Sequence, residues 1–206
     1  MGNDTIQRKV IGLTGSYCAG KNYIGRLLEE RGLPVLDVDK LGHSAIETER
    51  GAILERFGRD ILGADGAIDR RLLGAKVFGK PEELAALENI VHPAANAMTT
   101  QWIAAQGNKP CVINAALLHR SSAFGLLSCI ILVQAPVLVR LLRAKKRDRL
   151  PLKQLLRRFW SQRKFTAQYS AKMADTYIIE NPGYFGLGPS VRENRISEIL
   201  SRVGMA

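Results

Sequence analysis

Residues 12–23 read Gly-Leu-Thr-Gly-Ser-Tyr-Cys-Ala-Gly-Lys-Asn-Tyr and overlap an apolar run, "KVIGLT", over 9–14. No other feature restricts the fold as strongly. The run has the length of a buried strand, the Gly-rich stretch is a turn, and Ile24, Leu27 and Leu28 then recur at helical spacing. Gly32 gives a stop signal for a helix expected over 21–31. "LPVLDVD" (33–39) reads as a second strand ending in two carboxylates. Strand, loop, helix and strand in that order predict an open α/β sheet, whose ligands collect at the carboxyl ends of the strands.

The turn itself carries chemistry. Gly15, four residues, then Gly20-Lys21 is nearly a complete phosphate loop. Backbone N–H groups in such a loop converge on phosphate oxygens, the helix N-terminus adds partial positive charge, and Lys21 reaches the outer phosphates. The motif then calls for Ser or Thr, whose hydroxyl ligates Mg²⁺, and here stands Asn22. An amide oxygen is neutral and sits one bond farther out. Mg²⁺ demands short, near-octahedral oxygen contacts and releases water reluctantly. Asn22 is therefore expected to meet a metal through water, or to touch a phosphate instead, with weaker metal binding as the cost. At this point three readings stand open: a working nucleotide site, a site that has lost its chemistry, and a chance match.

Beyond the second strand the pattern turns mostly helical from about 41 to 105, in "AIETERGAILERFG", "DRRLLGAKVFG" and "PEELAALENIVHPAANAMTTQWIAA", with a turn at 63–69. Strands resume at 111–118 and 128–135, and basic helices follow, broken near Leu150-Pro151. A last strand is expected at 176–181, and Ser190 with Glu193 forms a capping box before a final helix. The most apolar segment, over 126–139, is too short to cross a bilayer and is interrupted by Gln134 and Pro136. No apolar stretch has the form of a secretory leader. Cys18, Cys111 and Cys129 are scattered without ligand spacing, which favours reduced thiols in a cytoplasm over disulfides or a zinc site.

Charge is the second constraint. Of the net +11, the segment 140–164 alone carries +10. So concentrated a basic stretch points to a polyanionic partner, the phosphates of a small molecule or a nucleic acid; the alternative is a solvated helix face. Few aromatics interleave these charges, with Phe159, Trp160 and Phe165 only at the end, so no nucleic-acid partner is expected.

Six pieces, in order and spacing, carry a resemblance to the dephospho-CoA kinases over about residues 10–183. They are "GLTGSYCAGKN"; "LDVD" with Asp37 and Asp39; "DRRLLGAKVF", which sets an arginine at Arg70; "LENIVHP", ending a helix in His92-Pro93; Arg143, Arg147-Asp148 and Gln162 as a lid signature; and "ADTYIIENPG" near the adenine. The resemblance implies an α/β P-loop kinase, a three-layer sandwich with a parallel sheet, a helical substrate-binding insertion and a helical lid. It implies one kinase domain over 1–206: a core at about 8–40, 108–139 and 174–206, the insertion at 41–107 and the basic lid at 140–173. The implied reaction is phosphorylation of the ribose 3′-hydroxyl of dephospho-CoA by ATP with Mg²⁺. Catalytic positions fall on Asp39, Lys21, Arg143 and Arg147; Asp39 takes or orients the hydroxyl proton and Asp37 helps hold metal-bound water. ATP-binding positions fall on Gly15, Cys18, Ala19, Gly20, Lys21, Asn22, Tyr23, Arg143 and Asn181. Those for dephospho-CoA fall on Asp37, Asp39, His43, Arg70, His92 and Gln162. Arg140, Arg143 and Arg147 share one helical face, from which a closing lid could reach the transferring group. No membrane partner is implied, and the chain is expected to act as a monomer or small homo-oligomer.

The departures from the family pattern cluster. Beyond Asn22, Tyr23 replaces a small Thr and His43 an arginine. In "VINAALLHR" (112–120), Asn114, Ala116, His119 and Arg120 stand where the family has an acid, a proline, an aromatic and an acid. Asn22 and Asn114 both weaken the metal side. Two further readings therefore compete with the kinase: a nucleotide- or CoA-binding protein without turnover, and another small-molecule kinase of the same fold.

Overall fold

The computed structural model describes residues 9–148, 150–162, 169, 175–183 and 189–205. Part of the expected lid, with Arg163, Lys164 and Phe165, and Ala174 of the last core segment lie outside these residues. The chain forms two compact units, one built around a sheet and the other spanning Val38–Ala104.

The first unit is a parallel five-stranded sheet in the order β2-β3-β1-β4-β5. Its strands are β1 (Val10–Gly15), β2 (Val35–Asp37), β3 (Cys111–Asn114), β4 (Leu127–Gln134) and β5 (Asp175–Glu180). Every residue of β1 is buried, as a strand paired on both edges and covered on both faces requires. The chain leaves β1 through α1 (Lys21–Glu29) toward β2 on one side, whereas β4 lies on the other side of β1. The carboxyl end of β1 is thus the topological switch point where this class of sheet binds ligands.

Alternation selects one face of the sheet. Ile11, Leu13, Val112, Ile131 and Val133 share a core with Ile24, Leu27 and Leu28 of α1 and with Ile196, Ile199 and Leu200 of the last helix, α8 (Pro189–Arg202). The loop before α1 is therefore aimed by a helix whose buried stripe is bolted to the sheet. Pro189 opens α8 at the position where a missing N–H costs nothing, so Ser190 lies inside the helix and not at the expected cap. Two further helices of this unit, α6 (Val137–Asp148) and α7 (Leu152–Ser161), break at Leu150-Pro151 as the sequence predicts.

The second unit holds α2 (Val38–Thr48), α3 (Arg50–Phe57), α4 (Arg70–Val77) and α5 (Pro81–Ala105). Ile53, Phe57, Ile61, Ile68, Leu73 and Val77 form its core. Leu62 and Ile68 bridge across the expected turn, and the Asp69 carboxylate caps α4 by accepting from the N–H groups of Arg71 (2.7 Å) and Leu72 (3.3 Å). Three expectations need correction. The expected strand over 33–39 is only Val35–Asp37, because β3 ends at Asn114 and offers no partner past Asp37; Asp39 lies in the first turn of α2. The helix drawn over 45–58 is two helices, broken at Glu49. His92-Pro93 does not end its helix, since α5 runs through Pro93 for twelve more residues to Ala105.

Leu28 is fully buried in the cluster that fastens α1. Leu28→Ala is expected to cost about 2–5 kcal/mol in denaturant unfolding; a loss within experimental error would mean that α1 is held in some other way.

Candidate functional site

The loop between β1 and α1 bends through two residues of positive φ, Cys18 (60°) and Gly20 (99°). At Gly20 a side chain is excluded twice over: the backbone is left-handed, and a Cβ would collide with the amide nitrogen of Asn181. Cys18 adopts the left-handed region without that freedom, a conformation that disfavours a side chain by about 1–2 kcal/mol. Burial pushes its thiol pKa up, against the opposing pull of Arg147, which keeps it a protonated filler in the loop. No side chain caps α1 at Gly20, and an uncapped helix N-terminus favours an anion.

What holds the loop in this shape is a set of bonds to its carbonyls. Ala19, fully buried, accepts at its carbonyl from the Arg143 guanidinium (3.0 Å) and from the Asn181 side-chain amide (2.8 Å). Arg143 also donates to the carbonyls of Cys18 (3.4 Å) and Asn181 (3.1 Å). Asn181 is itself fixed at the end of β5, where its N–H donates to the Gln134 carbonyl (2.7 Å). With these carbonyls engaged from outside, the bend of the loop is held in place. Gly15, at the end of β1, pairs with Val133 so closely that a Cβ would come within 2.8 Å of the Val133 carbonyl oxygen.

Lys21 and the two departures Asn22 and Asn114 meet. The Lys21 ammonium donates to Asn114 Oδ1 (2.9 Å), and Asn114 Nδ2 donates to Asn22 Oδ1 (3.1 Å). Asp37 is in register with Asn114 on the neighbouring strand. Tyr23 turns away from this group: its ring packs against the core beneath α1 and lies 5.6 Å from the Arg192 guanidinium. A further departure, His119, is taken up by Tyr169, whose hydroxyl is 3.0 Å from His119 Nδ1.

Tyr17 is the residue that sequence reasoning missed. Its N–H donates to Gln162 Oε1 (2.8 Å), its ring meets Phe159 edge-on at 5.5 Å, and its hydroxyl donates to Asp148. The guanidinium of Arg147 lies 5.2 Å from the same ring and that of Arg158 lies 5.8 Å away; both also bond Asp148, at 2.6 and 3.2 Å. One loop side chain thereby gathers both basic helices. Arg140 stacks on Phe159 at 4.8 Å. A large aromatic in a loop otherwise built of small residues was the available signal. Asp39 and His43 on α2, Arg70 at the start of α4 and His92 within α5 belong to the second unit.

The hydrogen bond from Arg147 holds the Asp148 carboxyl below its usual range, against a smaller opposing effect of burial. With the folded pKa below the unfolded value of about 3.9, its contribution is complete above that value and is lost as pH falls through the folded pKa. Because both arginines are more than half exposed, Asp148→Asn is expected to cost only about 1 kcal/mol at neutral pH. The deficit should shrink as pH is lowered from neutral to about 3, below the ordinary carboxylate range. Denaturant unfolding at both pH values checks this, and a deficit that persists undiminished in acid contradicts it.

The family model for dephospho-CoA kinase matches residues 9–185. The dephospho-CoA kinase of Treponema pallidum is 35% identical over 184 residues, covering 84% of this chain and 87% of the relative. That of Anaeromyxobacter dehalogenans is 37% identical over 181 residues, covering 85% and 84%. The crystal structure of TT1252 from Thermus thermophilus superposes with a TM-score of 0.79 at 28% identity, covering 95% of this chain and 98% of that one. A phosphate loop at the switch point of a five-stranded parallel sheet and a match along most of the sequence agree: this chain belongs to the dephospho-CoA kinase family.

Proposed function

We propose that this chain transfers the γ-phosphoryl group of ATP to the ribose 3′-hydroxyl of dephospho-CoA, giving CoA and ADP. The observation that carries the reading is the loop after β1, with its carbonyls held from behind by Arg143 and Asn181 and with Lys21 at its mouth. Phosphoryl transfer asks a protein chiefly for positioning and charge neutralisation. The loop N–H groups and Lys21 hold the ATP phosphates. Arg143 keeps the loop in the shape that presents those groups, while Arg140 and Arg147 add positive charge beside it. Asp39 accepts or orients the proton of the attacking hydroxyl. Asp37, His43, Arg70, His92 and Gln162 are proposed for dephospho-CoA by the family resemblance. The three thiols, none in a disulfide, agree with action in a reducing cytoplasm, and among the described residues no helix is long and apolar enough to cross a membrane.

A phosphate loop of this kind offers Mg²⁺ a hydroxyl after the lysine and an acid from a nearby strand. Both positions carry amides here, and each amide oxygen already accepts a hydrogen bond from the chain itself. These residues do not fit direct coordination. Mg²⁺ is accordingly proposed as part of the nucleotide substrate, where it neutralises phosphate charge.

ADP release from ATP and Mg²⁺, with and without dephospho-CoA, tests the reading. Release is expected only with dephospho-CoA, and Asp39→Asn is expected to lower kcat by at least about 100-fold. ADP release that ignores dephospho-CoA, or none at all, contradicts the proposal.

A further inference from the structure

We infer that Lys21, Asn22 and Asn114 form a metal-independent anion site, so that this chain binds a nucleoside diphosphate equally well with and without Mg²⁺. The inference rests on the kinase reading above and concerns how the same site holds its nucleotide.

The two amides answer each other. Asn114 is 3% exposed, and a buried amide needs its hydrogen bonds. It has them: Oδ1 accepts from the Lys21 ammonium at 2.9 Å, and Nδ2 donates to Asn22 Oδ1 at 3.1 Å. Those two bonds fix which way each amide faces. Turning Asn114 to offer its oxygen to a cation would break both. With Asn22 Oδ1 fastened to Asn114, the other branch of the Asn22 amide is an NH₂ group, a donor suited to a phosphate oxygen and unable to ligate a metal.

Charge points the same way. A lysine beside a carboxylate is neutral as a pair, and an incoming phosphate chain then depends on a cation to offset the carboxylate. Here the group that Asn114 offers Lys21 is a neutral amide, and the three side chains together carry a net charge of +1. Among the described residues no three His, Cys, Asp or Glu side chains gather as a metal site. The one acid in register with Asn114 is Asp37, at the end of β2. It is the residue through which the chain could still favour a metal, and the test must therefore include it.

Calorimetric titration of ADP, in EDTA and in excess Mg²⁺, decides the matter for the wild type, Asn22→Ser/Asn114→Asp and Asp37→Asn. The wild-type affinity should change less than about twofold between the two buffers, whereas the double variant should bind at least about tenfold more tightly with Mg²⁺ than without. Asp37→Asn should behave as the wild type does. A wild type that tightens about tenfold with Mg²⁺ overturns the inference, and loss of that gain in Asp37→Asn would assign the metal to Asp37. A folded double variant as indifferent to Mg²⁺ as the wild type overturns the role given to the asparagine pair. If the double variant does not fold, the two wild-type titrations decide alone. Failure to bind ADP in either buffer is a different result: it removes the kinase reading, and this inference with it.

Discussion

The structure turns on the carbonyl of Ala19. It is buried, it belongs to a loop too tight for ordinary backbone pairing, and it is satisfied by two side chains from distant parts of the chain, Arg143 on α6 and Asn181 after β5. A buried carbonyl left alone would cost about 1–3 kcal/mol. The loop therefore keeps its shape only where α6 and the end of β5 are in place. That dependence joins three stretches far apart in sequence into one site. It also explains why Gly20 admits no side chain: the space a Cβ would take belongs to the Asn181 amide.

Arginine in this site works in two directions. Arg143 spends its donors on carbonyls and so shapes the backbone. Arg147 and Arg158 lie against the Tyr17 ring and share Asp148, which gathers positive charge beside the loop without leaving it all unopposed. The concentration of charge in 140–164 thus has a structural use as well as an electrostatic one. Like-charged helices can pack here because an acid and two aromatics, Asp148, Tyr17 and Phe159, lie between them.

The sheet was legible in the sequence because burial on both faces leaves continuous apolar runs, as in "VIGLTG" and "CVIN". The loop was legible because its geometry demands Gly15 and Gly20. What escaped depended on partners remote in sequence. "LPVLDVD" alternates as a strand should, yet it pairs only as far as β3 reaches, and Asp39 passes into a helix. Pro93 looks like a stop signal, yet α5 continues past it. Asn22 and Asn114 looked like two separate losses, and only the fold shows that they bond to each other across 92 residues of chain. Tyr17 stood out only as a large aromatic among small loop residues, because every group it touches lies more than a hundred residues away.

Through its bond to the Ala19 carbonyl, Asn181 is proposed to act on the phosphates by shaping the loop. Binding of inorganic tripolyphosphate, which has no base to contact, to the wild type and to Asn181→Ala tests it most directly. The variant is expected to lose about tenfold in affinity for tripolyphosphate, the worth of about one hydrogen bond. Unchanged tripolyphosphate binding, with only ATP weakened, would contradict it and make Asn181 a contact for the nucleoside alone.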